Sequence, residues 1–259
     1  MTSASVANAS PKPEIGRVTL HDIGMSLNAG LSDFQRAPFY GVAFAAFYAV
    51  TGNLLTFVGA GTFLWTLVLA LGFPLVAPFA AVGFYEVSRR LEAEEPLDRS
   101  AILNVIWSER RRQLPWIGVV LALIFLFWSF FAHMMVALFL GVSSVGNTSL
   151  EVFLTTADGR SMLAVQTAVG GIVAFLTFGL TAVSLPLLVD KEIDFVSAML
   201  LSLKTVNANR VTFALWAAFI AFGLFLAMLP AFLGLFIVLP VLGHATWHIY
   251  RRALVHPTP

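Results

Sequence analysis

Trp116–Leu140 reads WIGVVLALIFLFWSFFAHMMVALFL, with no Asp, Glu, Lys or Arg in it. Crossing about 30 Å of hydrocarbon takes roughly 20 apolar residues in a helix, and this run exceeds that. Lipid offers the backbone no water to bond, so a lone run of this kind must close its own hydrogen bonds as a helix. The same test applied outward predicts five more spans, near Pro38–Phe57, Thr62–Tyr85, Met162–Val189, Val211–Met228 and Ala231–Tyr250. The whole chain agrees. Of its 259 residues, 59% are hydrophobic and 11% charged, against about 25% charged in an ordinary soluble domain. Its mean hydropathy is +0.87. A soluble fold has too little interior to hide so much apolar surface, so the sequence predicts an all-α, polytopic membrane protein.

The remaining composition excludes several function classes. A net charge of +1 gives no basic field for nucleic acid. The chain has no Cys, hence no disulfide, thiolate metal site or cysteine nucleophile. Its first thirty residues lack the continuous apolar segment of a secretory signal peptide. Nucleophile elbow, Walker loop and dinucleotide fingerprint are all missing, and no Asp or Glu pair falls within a span. No catalytic residue, cofactor or metal site is therefore expected, and an enzyme is not.

Loop charge sets the expected orientation. Lys12, Arg17 and Arg36 precede the first span; Arg89, Arg90, Arg99, Arg110, Arg111 and Arg112 join the second and third. Lys191, Lys204 and Arg210 join the fourth and fifth, and Arg251 and Arg252 follow the sixth. Only Arg160 lies on the opposite side. Both termini are thus expected in the cytoplasm. Short hairpins at Val58–Gly61 and Leu229-Pro230 close the first and last pairs of spans. A longer loop, Gly141–Ser161, holds a glycosylation-type triplet at Asn147-Thr148-Ser149, too short a match to carry weight.

A unit repeats three times. Ser26–Arg36 (SLNAGLSDFQR), Ser100–Arg110 (SAILNVIWSER) and Ser197–Asn207 (SAMLLSLKTVN) each start with Ser and run into an odd-numbered span. Ile102, Val105 and Ile106, and likewise Met199, Leu203 and Val206, recur at helical spacing. Helices with one apolar stripe belong at the membrane surface. Asp98 and Asp194 are placed as N-caps or first-turn acids. Pro78, Pro186 and Pro240 fall near the cytoplasmic ends of the even-numbered spans and should bend them. Each unit is an amphipathic helix followed by a helical hairpin, over about 22–90, 98–190 and 194–252. Residues 1–20 are expected as a disordered cytoplasmic tail, 21–252 as one six-helix membrane domain, and 253–259 as a second tail.

Two segments are the most specific. Val183–Asp190 (VSLPLLVD) leads into Asp194–Met199 (DFVSAM), and Leu239–Arg251 (LPVLGHATWHIYR) closes the last span. Together they resemble a bacterial family of integral membrane proteins, domain of unknown function 2189, over roughly Gly24–Arg252. The resemblance implies six helices in the bacterial inner membrane. It implies no activity, substrate or cofactor.

Candidate binding residues cluster by depth. Four and eight residues past the repeated Pro lie Asp190 and His244, then Glu86, Asp194 and His248. Buried charge in lipid is costly and usually paired, so contacts between units through Glu86 or Asp190 are expected. The simpler reading is that these groups mark where helices meet water. His244 and His248 share a helix face and have the types a metal or haem would need, but the sequence supplies no third ligand nearby. Trp247 and His248 as interfacial anchors, with His244 bonded to a neighbouring helix, is the preferred reading. His133 in the third span is read as hydrogen-bonded to a neighbouring helix. The Arg89–Arg112 segment also holds Glu92, Glu94, Glu95, Asp98 and Glu109, and reads as a solvated face. A non-enzymatic scaffold or accessory subunit in the bilayer, with other membrane subunits as partners, is the first functional expectation. Transport of a small apolar or lipid-like solute is the second, and a histidine-ligated cofactor the third.

Overall fold

The computed structural model describes residues 13–57, 63–109, 111–146 and 149–255. The expected hairpin at Val58–Gly61, residue Arg110 and the Asn147-Thr148 pair lie wholly or partly outside them. The fold is all-α apart from one short two-stranded pairing. Three helical stretches are long and apolar enough to cross a membrane: Leu114–Leu140, Ala157–Asp190 and Arg210–Met228. Further apolar helices flank them.

The chain starts with β1 (Glu14–Ile15) and α1 (Leu20–Arg36). Thr19 and Asp22 form a capping box: the Thr19 hydroxyl accepts from the Asp22 N–H, and Asp22 accepts from the Thr19 N–H at 2.8 Å. This satisfies donors that the first helical turn leaves open. Then come α2 (Pro38–Phe57), α3 (Phe63–Glu92) and α4 (Arg99–Glu109). Asp98 precedes α4 and binds the Ser100 N–H and hydroxyl. α5 (Leu114–Leu140) carries Pro115 in its first turn, where no intrahelical donor is lost. A short α6 (Leu150–Thr155) leads to α7 (Ala157–Thr181).

Pro186 does more than bend its helix. α7 ends before it, and α8 (Ser184–Asp190) restarts after a turn. The Val183 N–H freed there donates to Ser202 Oγ at 3.1 Å, and Ser202 donates to the Gly179 carbonyl at 2.6 Å. Ser202 belongs to α9 (Phe195–Ala208), capped by Asp194 as expected, through the Ser197 N–H at 2.8 Å. α10 (Arg210–Met228) and α11 (Leu235–Ala253) follow, then β2 (Leu254–Val255). The turn before α11 is longer than the expected Leu229-Pro230 hairpin. Ala231 and Phe232 take left-handed φ values of 50° and 63° there, and Asn53 of α2 donates to the Ala231 carbonyl at 2.9 Å.

All three expected surface segments are helical. α4 packs on α3, α9 on α7 and α8, and α1 on α11. α3, α11 and α8 also touch one another. Phe84, Leu187, Trp247 and Tyr250 are buried in one apolar core there. Pro78, Pro186 and Pro240 are all buried.

The expected disordered tails need correction where they are described. Glu14 pairs with Val255 and Ile15 with Leu254, antiparallel. The Val18 N–H donates to Asn209 Oδ1 at 2.8 Å, and Asn209 Nδ2 donates to the Gly16 carbonyl at 3.0 Å. Backbone groups that a disordered tail would leave to water are bonded to the far end of the chain.

Candidate functional site

The contact of α1 with α11 begins with a small residue. A Cβ on Gly30 would stand 2.6 Å from the Val241 carbonyl oxygen and 2.6 Å from the Ala245 nitrogen, both backbone. Only glycine lets the helices approach so closely. Ser26, Gly30 and Asp33 are the buried face of α1. The approach carries Asp33 into the interior, where it is 5% exposed.

A buried carboxylate needs donors. His248 Nε2 and Ser88 Oγ supply them, at 2.8 and 2.7 Å from Asp33 Oδ2. Ser88 Oγ also lies 2.8 Å from His244 Nδ1. The single Ser88 proton goes to Asp33, so His244 Nδ1–H donates to Ser88 and its Nε2 is left bare. That nitrogen is buried without a partner. The Phe84 ring meets the imidazole edge-on, with centroids 5.6 Å apart. Three elements, α1, α3 and α11, thus join through one chain of four side chains.

Neighbouring bonds tie the same ends. Trp247 Nε1 donates to Glu92 Oε2 at 2.8 Å, and Arg251 Nε donates to Glu92 Oε1 at 3.1 Å. Tyr250 donates to Asp190 Oδ2 at 2.7 Å, with Arg251 Nη1 3.6 Å from the same oxygen. Asp190 of α8 is thus tied to α11. His244 bonds a neighbouring helix, as preferred above.

Glu86, Asp194, Trp247 and His248 differ from expectation, His248 because its Nε2 is bonded to Asp33 instead of anchoring the surface. Glu86 is 1% exposed, but it binds Arg89 and Arg90 of its own helix, with the Arg90 contact at 2.6 Å. Spacings of three and four residues bring those guanidiniums to it before any other helix can. Asp194 is exposed and occupied as an N-cap, outside the cluster. The Ser197 N–H holds its carboxyl below the ordinary range. Trp247 is buried against Glu92 instead of anchoring the surface. His133 Nδ1 donates to the Ser129 carbonyl of its own helix at 2.7 Å.

Asp33 and Ser88 were missed in the sequence. Seven residues past the repeated Ser, where Asp33 stands, the other units have Trp107 and Lys204, so the repeat hides it. The available signal was an acid in register with Ser26 and Gly30 on the apolar side of an amphipathic helix.

Chemically, the cluster is a closed polar clasp. His248 Nε2 and His244 Nδ1 are each engaged within the clasp, to Asp33 and Ser88. Among the described residues, no group of three or more His, Asp or Glu side chains is placed to hold a metal.

The long apolar helices define an integral membrane protein. Residues 65–190 match the model of the family described as predicted integral membrane protein (DUF2189). That match contains α8 and the Val183–Asp190 segment on which the resemblance partly rested. Comparison with curated proteins and with solved structures finds no match for the chain.

Proposed function

We propose that this is a six-span, non-enzymatic protein of the bacterial inner membrane, with both termini cytoplasmic, that serves as a scaffold or accessory subunit of a membrane complex. The observation carrying this reading is the use made of the interior polar groups. Asp33, Ser88, His248, Glu92 and Asp190 are spent on joining the chain to itself. Charge held this way favours one arrangement of helices over alternatives and needs no substrate.

The threefold plan belongs to the same proposal. α4 rests on α3, α9 on α7, and α1 on α11. Each surface helix meets the even-numbered span of the preceding unit, and the first does so by returning to the last. The basic loops favour the cytoplasmic side for these surface helices.

Purification in mild detergent followed by mass spectrometry tests the functional reading. Partner proteins at fixed stoichiometry support a scaffold; a chain that elutes alone with bound haem or metal overturns it. A second reading, handling of an apolar or lipid-like solute, is favoured by an apolar groove along α5 and α7.

A further inference from the structure

The groove has a volume of about 500 Å³ and lies between α5 and α7. Ile124, Phe127 and Phe131 line one wall, and Val173 and Leu176 the other. Thr177 also borders it, but its hydroxyl donates to the Val173 carbonyl at 2.8 Å, so a polar group is turned onto its own helix. Gln166 Nε2 donates to the Ala132 carbonyl at 2.9 Å just past one end, tying the two helices there. Leu203 of α9 borders the other end. From Val169 to Leu180 the groove follows about 16 Å of helix.

Both walls are among the helices long and apolar enough to span the bilayer. Hydrocarbon is the medium that suits a groove walled by such helices. The α9 end adds a charge: Lys204 follows Leu203, is exposed, and forms no ion pair among the described residues. On the same side Trp116 of α5, itself exposed, stacks on Phe195 of α9 with ring centroids 6.1 Å apart. An exposed Lys next to Leu203 and an exposed Trp about two helical turns before Ile124 are the features of a headgroup boundary.

We propose that the groove between α5 and α7 seats one acyl chain of an anionic phospholipid, with the lipid phosphate at Lys204. The inference rests on α5 and α7 as spanning helices and is independent of the scaffold reading. A retained lipid leaves partner proteins free to bind elsewhere.

The test is photolabelling of the full chain in nanodiscs, using trace phosphatidylglycerol or phosphatidylcholine with a diazirine in one acyl chain. Adducts are mapped by peptide mass spectrometry. The expected result is adducts concentrated on Ile124–Phe131 and Val169–Leu180, with a phosphatidylglycerol preference of about fivefold, the size expected of one cation at an anionic headgroup. Lys204→Glu removes the preference without changing the thermal midpoint, and Val173→Trp fills the slot and removes the adducts. Labelling spread evenly over lipid-facing residues such as Phe222 and Ile237 overturns the proposal. So does groove labelling that is the same for both lipids, or a preference that survives Lys204→Glu, a surface change that leaves the fold intact even where Val173→Trp does not.

Discussion

His248 Nε2 lies 2.8 Å from Asp33 Oδ2, a bond between residues 215 positions apart. It joins the first helix to the last at the level where α3 adds Ser88 to the same carboxylate oxygen. Removing Asp33 takes the acceptor from two donors, whereas removing His244 takes one donor from Ser88. His244→Ala should cost on the order of 1–3 kcal/mol, and Asp33→Ala more. Arg160→Ala, at an exposed end of α7, should cost almost nothing. Thermal midpoints in detergent check the order; equal midpoints for all three would deny the clasp its structural role.

Gly30 and Gly24 separate close packing from helix propensity within α1. Gly30→Ala drives a methyl against the backbone at Val241 and Ala245, which cannot swing away as a side chain would. Gly24 has no heavy atom within 4 Å of a built Cβ, and alanine there should gain up to about 1 kcal/mol of helix propensity. The expected outcome is a fall in thermal midpoint for the first and a rise for the second. A silent Gly30→Ala would mean that α1 does not lie on α11.

The caps were legible because they are local. Asp98 and Asp194 sit a fixed distance from helices whose apolar spacing is visible in the sequence. The Asp33 clasp was not legible, because its partners come from α3 and α11 and nothing near Asp33 in the chain names them. Glu86 failed for the opposite reason: local arginines satisfied it before tertiary structure could. The α7–α8 break lies between these cases. Pro186 announced a distortion, but the Ser202 hydroxyl that bonds the groups freed at the α7–α8 turn arrives from another helix.

Acid should loosen the helix starts. The Thr19 hydroxyl and N–H hold Asp22 below the usual carboxylate range, and the Ser197 N–H does the same for Asp194. A carboxylate whose folded value is depressed contributes stability above its unfolded value, near 3.9, and loses it as pH falls through the lower folded value. Asp194→Asn keeps a capping oxygen that does not titrate. Its thermal midpoint should therefore fall less than that of the wild type as pH drops from 5 to about 2.5. Parallel curves would show that the Asp194 cap adds nothing to the acid response.

Glu109 should act with the opposite sign. Burial raises its carboxyl, and the neighbouring Arg112 guanidinium, 2.7 Å away, only partly offsets this. A raised folded value means that the ionised form is disfavoured, so the cost appears as pH rises past the ordinary glutamate range. Glu109→Gln should flatten the midpoint between pH 4.5 and 7. A steeper fall over that range in the variant would contradict the sign.

The central claim is that α1 folds back on α11 within one chain. The protein has no Cys, so two introduced thiols report without background. Asp22 Oδ1 and Arg252 Nη1 lie 3.6 Å apart at the rim of the same contact, clear of the Asp33–His248 bond. Asp22→Cys with Arg252→Cys, treated in native membranes with a short bismaleimide, should cross-link within the monomer, while Asp22→Cys with Arg160→Cys should not. Failure of the first pair to join while both thiols still react with a monofunctional maleimide, or joining only between chains, would contradict the closure.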